Sequence, residues 1–358
     1  MITRSAEVSE NVSWYIRKIK PEEEEPFINF LSAWVSDVPV ADRYQWLYQD
    51  NPHGKAVIWL AVDEKTEEIA ACTAIFPKRL RINGQLVLGC VGGDTYVDPR
   101  WRRQGIAAAL HRTTATEMKD VGIQLHYGFP LADNFQAKLK AGALHPGHFY
   151  TASLPLSTQP LFRRAKVEKL IPIGLQKVID RLMLKARGML LSSVDKTRYN
   201  VRRINDFNRS FETMEKEIAS SFPISCVRDL PYLKWRFFDN PMKHYTVLGL
   251  EDMDGHLLGY SALEKVGQAV VVGDFFVPPK TEWVTPMFST VVEYAVSQDA
   301  KSVVTMINPE EPLGKSILRF GFRLLRENRL PMIVLTDRTD HGLRDIRNWH
   351  ITAADLDV

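Results

Sequence analysis

The chain has 358 residues and a mass of 40.9 kDa, which is too long for one ordinary domain and suggests two. With 45% apolar and 25% charged residues, it excludes global disorder, collagen and coiled coil, and its net charge of +3 argues neither for nor against nucleic acid, which is not an expected partner. No apolar run approaches the ~20 residues that cross a bilayer, the first residues lack the apolar core of a signal peptide, and three widely spaced cysteines argue against a disulfide framework or zinc site. The expectation is a cytoplasmic protein with reduced thiols.

In chain order, Trp14 to Ile19 alternates like a short strand, and Pro21 with four glutamates opens a helix running towards Val35. A second helical stretch carries Tyr44, Trp46 and Leu47 and ends at Asn51-Pro52, where the residue before proline leaves the helical region. Segments 56–62, 69–76 and 86–97 read as an antiparallel meander, with Asn83-Gly84 as a hairpin turn. Ile106, Leu110, Thr113 and Met118 give a helical period to about Asp120. A strand at Ile123 to Phe129, a helix from Asp133 or Asn134 to Lys140 and a strand near His148 to Leu154 close the unit.

The pattern then repeats. Trp46-x-x-x-Asp50-Asn51-Pro52 returns as Trp235-x-x-x-Asp239-Asn240-Pro241, and Gly93-Asp94-x-Tyr96-Val97-x-Pro99 returns as Gly273-Asp274-x-Phe276-Val277-x-Pro279. Ile16-Arg17-Lys18-Ile19 resembles Val201-Arg202-Arg203-Ile204. Three matches in one order imply a tandem duplication: a first copy over 1–155, a linker over 156–196 and a second copy over 197–358. Between residues 160 and 190 eight basic residues (Arg163, Arg164, Lys166, Lys169, Lys177, Arg181, Lys185, Arg187) face only Glu168 and Asp180. Leu175, Val178, Ile179, Leu182, Ala186 and Met189 fall on one helical face of this linker, and a weak contact with a membrane surface is the functional alternative to a solvated interdomain helix.

Chemistry concentrates between Val97 and the following helix, in Arg102-Arg103-Gln104-Gly105-Ile106-Ala107. A strand, a tight glycine turn and a helix start present free backbone N–H groups at the positive end of a helix dipole, which is a cradle for an anion. Small residues at 105 and 107 let a diphosphate reach the backbone, and Arg102 and Arg103 add charge.

This stretch, within its strand, loop and helix, resembles motif A of the GNAT superfamily of acetyl-CoA-dependent acyltransferases, [Arg/Gln]-x-x-Gly-x-[Gly/Ala]. The resemblance covers about residues 14–155, and residues 197–337 look like a degenerate second unit. It implies an α/β fold of two tandem GNAT-like domains, each a mostly antiparallel mixed sheet flanked by helices. It also implies that Arg102 to Ala107 hold the coenzyme A pyrophosphate, that the backbone at Tyr96 and Val97 pairs with the pantetheine arm, and that Asn134, followed by Ala137 and Gly142, faces the cofactor. The family's tyrosine acid is replaced here, since Leu139 and Lys140 occupy its region. At the matching place in the second copy stand Glu282, Thr285, Pro286 and Met287, all opposed to a pyrophosphate, so one coenzyme A site per chain is expected.

Asp94 is the candidate catalytic base or acceptor-binding group, and it could equally order the turn after Gly92-Gly93. Tyr127 is the first candidate for the acid, with Tyr150 a second. Cys90 reads as a core residue more than as a nucleophile. His145-x-x-His148 has no nearby carboxylate, and no metal is expected. The expected activity is N-acetyl transfer from acetyl-CoA to an amine on a small molecule or sugar. Its rivals are an aminoacyl transferase of cell-wall precursors using charged tRNA, and a non-catalytic coenzyme A-binding regulator.

Overall fold

The computed structural model describes residues 13–35, 38–159, 162, 170–186, 188–190 and 198–356. Arg163, Arg164, Lys166, Glu168, Lys169 and Arg187 of the basic linker lie outside the described residues, as do the side chains of Asp133 and Ala137.

The first copy begins with β1 (Trp14–Lys18), α1 (Glu24–Ser32) and α2 (Val40–Tyr44), which continues as a π-helical turn over Gln45–Gln49. An antiparallel meander follows: β2 (Val57–Asp63), β3 (Ile69–Ile82) and β4 (Gln85–Val97). Strand β3 runs six residues beyond the expected end at Phe76, through Pro77. That proline falls where β2 has already ended, at the Val57–Ile75 pair, and before the next neighbour begins at Leu80, so its missing N–H costs no ladder bond. Then come α3 (Ile106–Glu117), β5 (Leu125–Gly128), α4 (Ala132–Lys140) and β6 (Leu144–Pro155).

Helix α5 (Ile173–Ala186) belongs to the linker. Its expected apolar face is divided: Leu184 is buried, whereas Leu175, Val178 and Leu182 are 52%, 54% and 61% exposed. Lys177 pairs with Asp299 at 2.6 Å and Arg181 with Glu293 at 4.0 Å. The second copy comprises β7 (Tyr199–Ile204), α6 (Arg209–Ala219), β8 (Ile224–Cys226), α7 (Leu230–Phe237), β9 (Thr246–Asp252), β10 (Leu257–Val266), β11 (Ala269–Phe276), α8 (Thr281–Ser297), β12 (Ser302–Ile307), α9 (Pro312–Phe320), β13 (Arg323–Thr336) and β14 (Trp349–His350). No helix among the described residues is long and apolar enough to cross a membrane.

Both copies share one sheet, whose main path is β1-β2-β3-β4-β5-β13-β6-β12-β11-β10-β9-β7. Its order is nearly palindromic, because the copies exchange their last strands. β13 of the second copy lies antiparallel between β5 and β6, while β6 of the first lies antiparallel beside β12. β4–β5 and β11–β12 are the corresponding parallel pairs. Trp46 and Trp235 bind each other reciprocally: each indole N–H donates to the other's carbonyl, at 2.9 and 2.8 Å, and the rings stack 4.5 Å apart. The repeated tryptophans are thus packing residues at the junction of the copies.

The exchange predicts one cooperative unfolding transition in scanning calorimetry of the full chain. Residues 1–155 expressed alone leave the β5 edge bare and should aggregate. A soluble monomeric fragment in size-exclusion chromatography would show that the exchanged strand is dispensable.

Candidate active site

Two local irregularities open the first copy's sheet. Between the Ala74–Gly93 and Cys72–Tyr96 pairs, Asp94 and Thr95 together stand opposite Thr73, a β-bulge in which Asp94 takes φ +49°. On the other side of β4, parallel pairing with β5 covers only Gly89–Leu125, Cys90–His126 and Val91–Tyr127. Beyond Val91 the two strands part, and a wedge opens along residues 92–97.

The turn after β4 has the shape expected of an anion cradle. Asp98 Oδ1 accepts from the Arg100 N–H at 2.9 Å and caps the short turn Pro99–Trp101. Arg103 and Gly105 then adopt φ +65° and +78°, and α3 starts directly after Gly105 with no side chain capping it. The first N–H groups of α3 therefore have no intrahelical acceptor. A Cβ placed on Gly105 would meet nothing within 4 Å, so the space in front of these groups is open. Ile106 is buried and anchors the helix, Ala107 and Gln104 are half-buried, and Arg102 and Arg103 are exposed. Arg102 Nε donates to the Val97 carbonyl at 3.1 Å, and its guanidinium lies 5.9 Å from the Tyr96 ring centre. Tyr96 itself stacks on Trp34 at 5.0 Å.

The wedge leads into a cavity of about 430 Å³. β4 contributes Gly92 to Thr95, β5 contributes His126 and Gly128, and α4 contributes Asn134 and Lys138. His111 and Thr114 of α3 complete that side, and Leu330, Ile333 and Leu356 come from the second copy. Gly92 is there for space: a Cβ would sit 2.5 Å from His126 Nε2. Lys138 Nζ lies 3.0 Å from His111 Nδ1. Burial pushes Lys138 down to about 8, His111 to about 4 and His126 to about 3, since each loses hydration of its charged form and none gains a carboxylate. No pattern in the sequence marked this cluster, because its members come from α3, β5 and α4.

Asp94 lines the same cavity, with its carboxylate engaged. Arg43 donates to both oxygens, at 2.6 and 3.0 Å, and Tyr48 donates its hydroxyl to Oδ2. Arg43 was invisible as a partner in sequence, since 51 residues separate the two.

Tyr127 is not brought to the cavity. Successive strand residues face opposite sides. His126 and Gly128 line the cavity, and Tyr127 is buried on the other face, where its hydroxyl donates to the Asp355 carbonyl at 2.6 Å. Burial raises its hydroxyl well above the ordinary value, and it holds the C-terminal turn. Tyr150 is half-buried on β6 and does not line this cavity, and burial raises the Cys90 thiol, away from a nucleophilic thiolate. His145 Nδ1 is 2.8 Å from the Met332 carbonyl. Asp252, Asp254 and His256 crowd the β9–β10 turn, whose backbone Asp252 braces.

The second copy has the same plan with the space filled. Arg228 pairs with Asp274 at 2.9 Å, as Arg43 does with Asp94, and Tyr260 donates to Asp274 at 2.5 Å. Thr352 and Asp355 from the chain's C-terminal turn close over this pair, at 2.9 and 3.0 Å. The residues matching the cradle are wound into α8, which starts at Thr281, and Val284, Pro286 and Met287 are buried.

The family described as acetyltransferase (GNAT) domain matches residues 15–139. These residues form a GNAT acetyltransferase domain. No curated protein matches the chain. Among solved structures, a GCN5-related N-acetyltransferase from Anabaena variabilis is similar at 14% identity and TM-score 0.63, over 90% of this chain and 72% of that one. A tandem GNAT protein from the clavulanic acid biosynthesis pathway is similar at 13% identity and TM-score 0.52, over 90% and 98%. Saccharomyces cerevisiae N-myristoyltransferase with bound myristoyl-CoA follows at 10% and 0.53, over 92% and 85%. At these identities the likeness is one of fold, and it extends across both copies, in agreement with the tandem α/β arrangement.

Within the GNAT domain, Asp94→Ala leaves the Arg43 guanidinium uncompensated, where both side chains are only 11% and 8% exposed. Its expected cost is about 3–5 kcal/mol in chemical denaturation. A loss below about 1 kcal/mol, as for an exposed ion pair, would show that the contact does not hold the bulge.

Proposed function

We propose that the protein is an acyl-CoA-dependent N-acyltransferase that moves an acetyl group from acetyl-CoA to an amine on a small molecule or sugar, by direct attack. The observation that carries this reading is the conjunction of the β4–β5 wedge with the open, uncapped helix start after Gly105, both beside one cavity. Residues 1–155 would be the catalytic copy, 156–196 the basic linker and 197–358 a copy that supports the sheet and lines the cavity.

In this reading the N–H groups from Arg103 to Ala107 bind the coenzyme A pyrophosphate, with Arg102 and Arg103 supplying charge. The pantetheine arm lies in the wedge as a surrogate strand, against the free edge at Tyr96 and Val97, and Asn134 of α4 faces it from the cavity. A backbone N–H at the bulge would meet the thioester carbonyl, where the loss of one such donor typically costs about 10²- to 10³-fold in rate. Asp94, held by Arg43 and Tyr48, keeps the bulge in place and presents its carboxylate to the incoming amine. An amine of lysine-like pKa is only about 0.1% neutral at neutral pH, so its proton must pass to a base or to water. The intact cradle favours a coenzyme A donor over charged tRNA, and the likeness to a transferase with bound myristoyl-CoA supports an acyl-CoA.

Calorimetric titration of acetyl-CoA tests the assignment. One site per chain is expected. Gly105→Glu should abolish binding by filling the cradle with a carboxylate, at a cost to stability of only about 1–3 kcal/mol for a non-glycine residue at positive φ. Equal affinity of the variant and the parent, or two sites per chain, would defeat it.

A further inference from the structure

Among the described residues, Lys138 has no anionic partner for its ammonium. It stands one turn after Asn134 on α4, so both side chains reach the cavity. Among the described residues its one hydrogen-bond contact is His111 Nδ1 at 3.0 Å, and no carboxylate among them pairs with it. Among the described residues the titratable groups coupled to it are His126 of β5, His111 of α3 and the thiol of Cys90 on β4, and none of them is an acid ionised at neutral pH. His111 Nε2 is itself buried without a partner among the described residues. An ammonium taken from water without a counter-ion weakens the fold. The arrangement is relieved when an anion enters the cavity.

Acyl transfer from a thioester generates such an anion. We propose that Lys138 is the proton donor to the departing coenzyme A thiolate, with His111 as the positioning residue that holds its amino group. This rests on the acyltransferase reading given above. The acceptor amine attacks the carbonyl carbon and the new C–N bond forms. The C–S bond breaks with its electron pair passing to sulfur, which takes a proton from Lys138 Nζ. The proton released by the amine returns Lys138 to its ammonium form through solvent. The products are the amide and free coenzyme A.

The experiment uses coenzyme A and desulfo-coenzyme A as probes, so that no acceptor is needed. Thiolate absorbance of the bound coenzyme is followed against pH in the full-length parent, Lys138→Met and Lys138→Arg. Beside an ammonium the bound thiol should ionise more readily than in water, with its thiolate favoured by about 10- to 1,000-fold. Lys138→Met should return the ionisation to that of free coenzyme A, while Lys138→Arg should keep it. Desulfo-coenzyme A, lacking the sulfur, should bind the parent and Lys138→Met alike.

A parent complex whose thiol ionises as in water overturns the inference, whether or not either variant folds. So does an unchanged response in Lys138→Met. If desulfo-coenzyme A fails to bind the parent, the acyltransferase reading falls and this inference falls with it. Binding with an unperturbed thiol removes the role of Lys138 alone.

Discussion

A parallel pair that splays leaves a strand edge which must be covered. β4 and β5 pair over three residues and then part, and that parting makes the wedge. The far edge of β5 still needs a neighbour, since unpaired backbone groups in a sheet are costly to bury and hazardous to expose. The neighbour is β13, which belongs to the other copy. β12 meets the same need with β6. Each copy therefore completes its sheet with the other's strand, and neither has a finished core alone.

That dependence explains why a copy with no cradle is nevertheless part of the site. β13 supplies Leu330 and Ile333 to the cavity wall, and the C-terminal turn supplies Leu356. The same turn fills the space beside Asp274. Duplication thus produced two equivalent clefts with different contents. One is open beside a glycine at positive φ, and the other is packed with a buried arginine and two aspartates. The ion pair beneath the bulge is common to both copies, which marks the Arg–Asp contact as a device of the fold. The groups that differ in the first copy are Gly105, Asn134, Lys138 and the two histidines of its cavity.

Much of the first copy was legible in its residues. Alternation, the Asn83-Gly84 turn and the helical period after Ile106 located the meander and α3 closely, since all three are local. The cradle was legible for the same reason: the turn, the glycine and the helix start lie within six residues. Strand β3 extends past the segment 69–76 that alternation marks, because it gains a new neighbour after Pro77, and that change of neighbour is a tertiary fact. Tyr127 lies on the strand next to the site, which makes it a candidate acid in sequence, and only the strand's register puts its side chain on the opposite face from His126.

Taken alone, the sequence determined the duplication, the element order of the first copy, the glycine turn before α3 and the absence of that turn's residues from the second copy. All of these depend on residue types at short fixed spacings. The tertiary structure decided which strand covers which edge, that Asp94 is bound by Arg43 and Tyr48, and that Lys138, His111 and His126 meet in one cavity. Those outcomes depend on which edges and faces remain unsatisfied after local structure has formed, and no single segment of the chain carries that information.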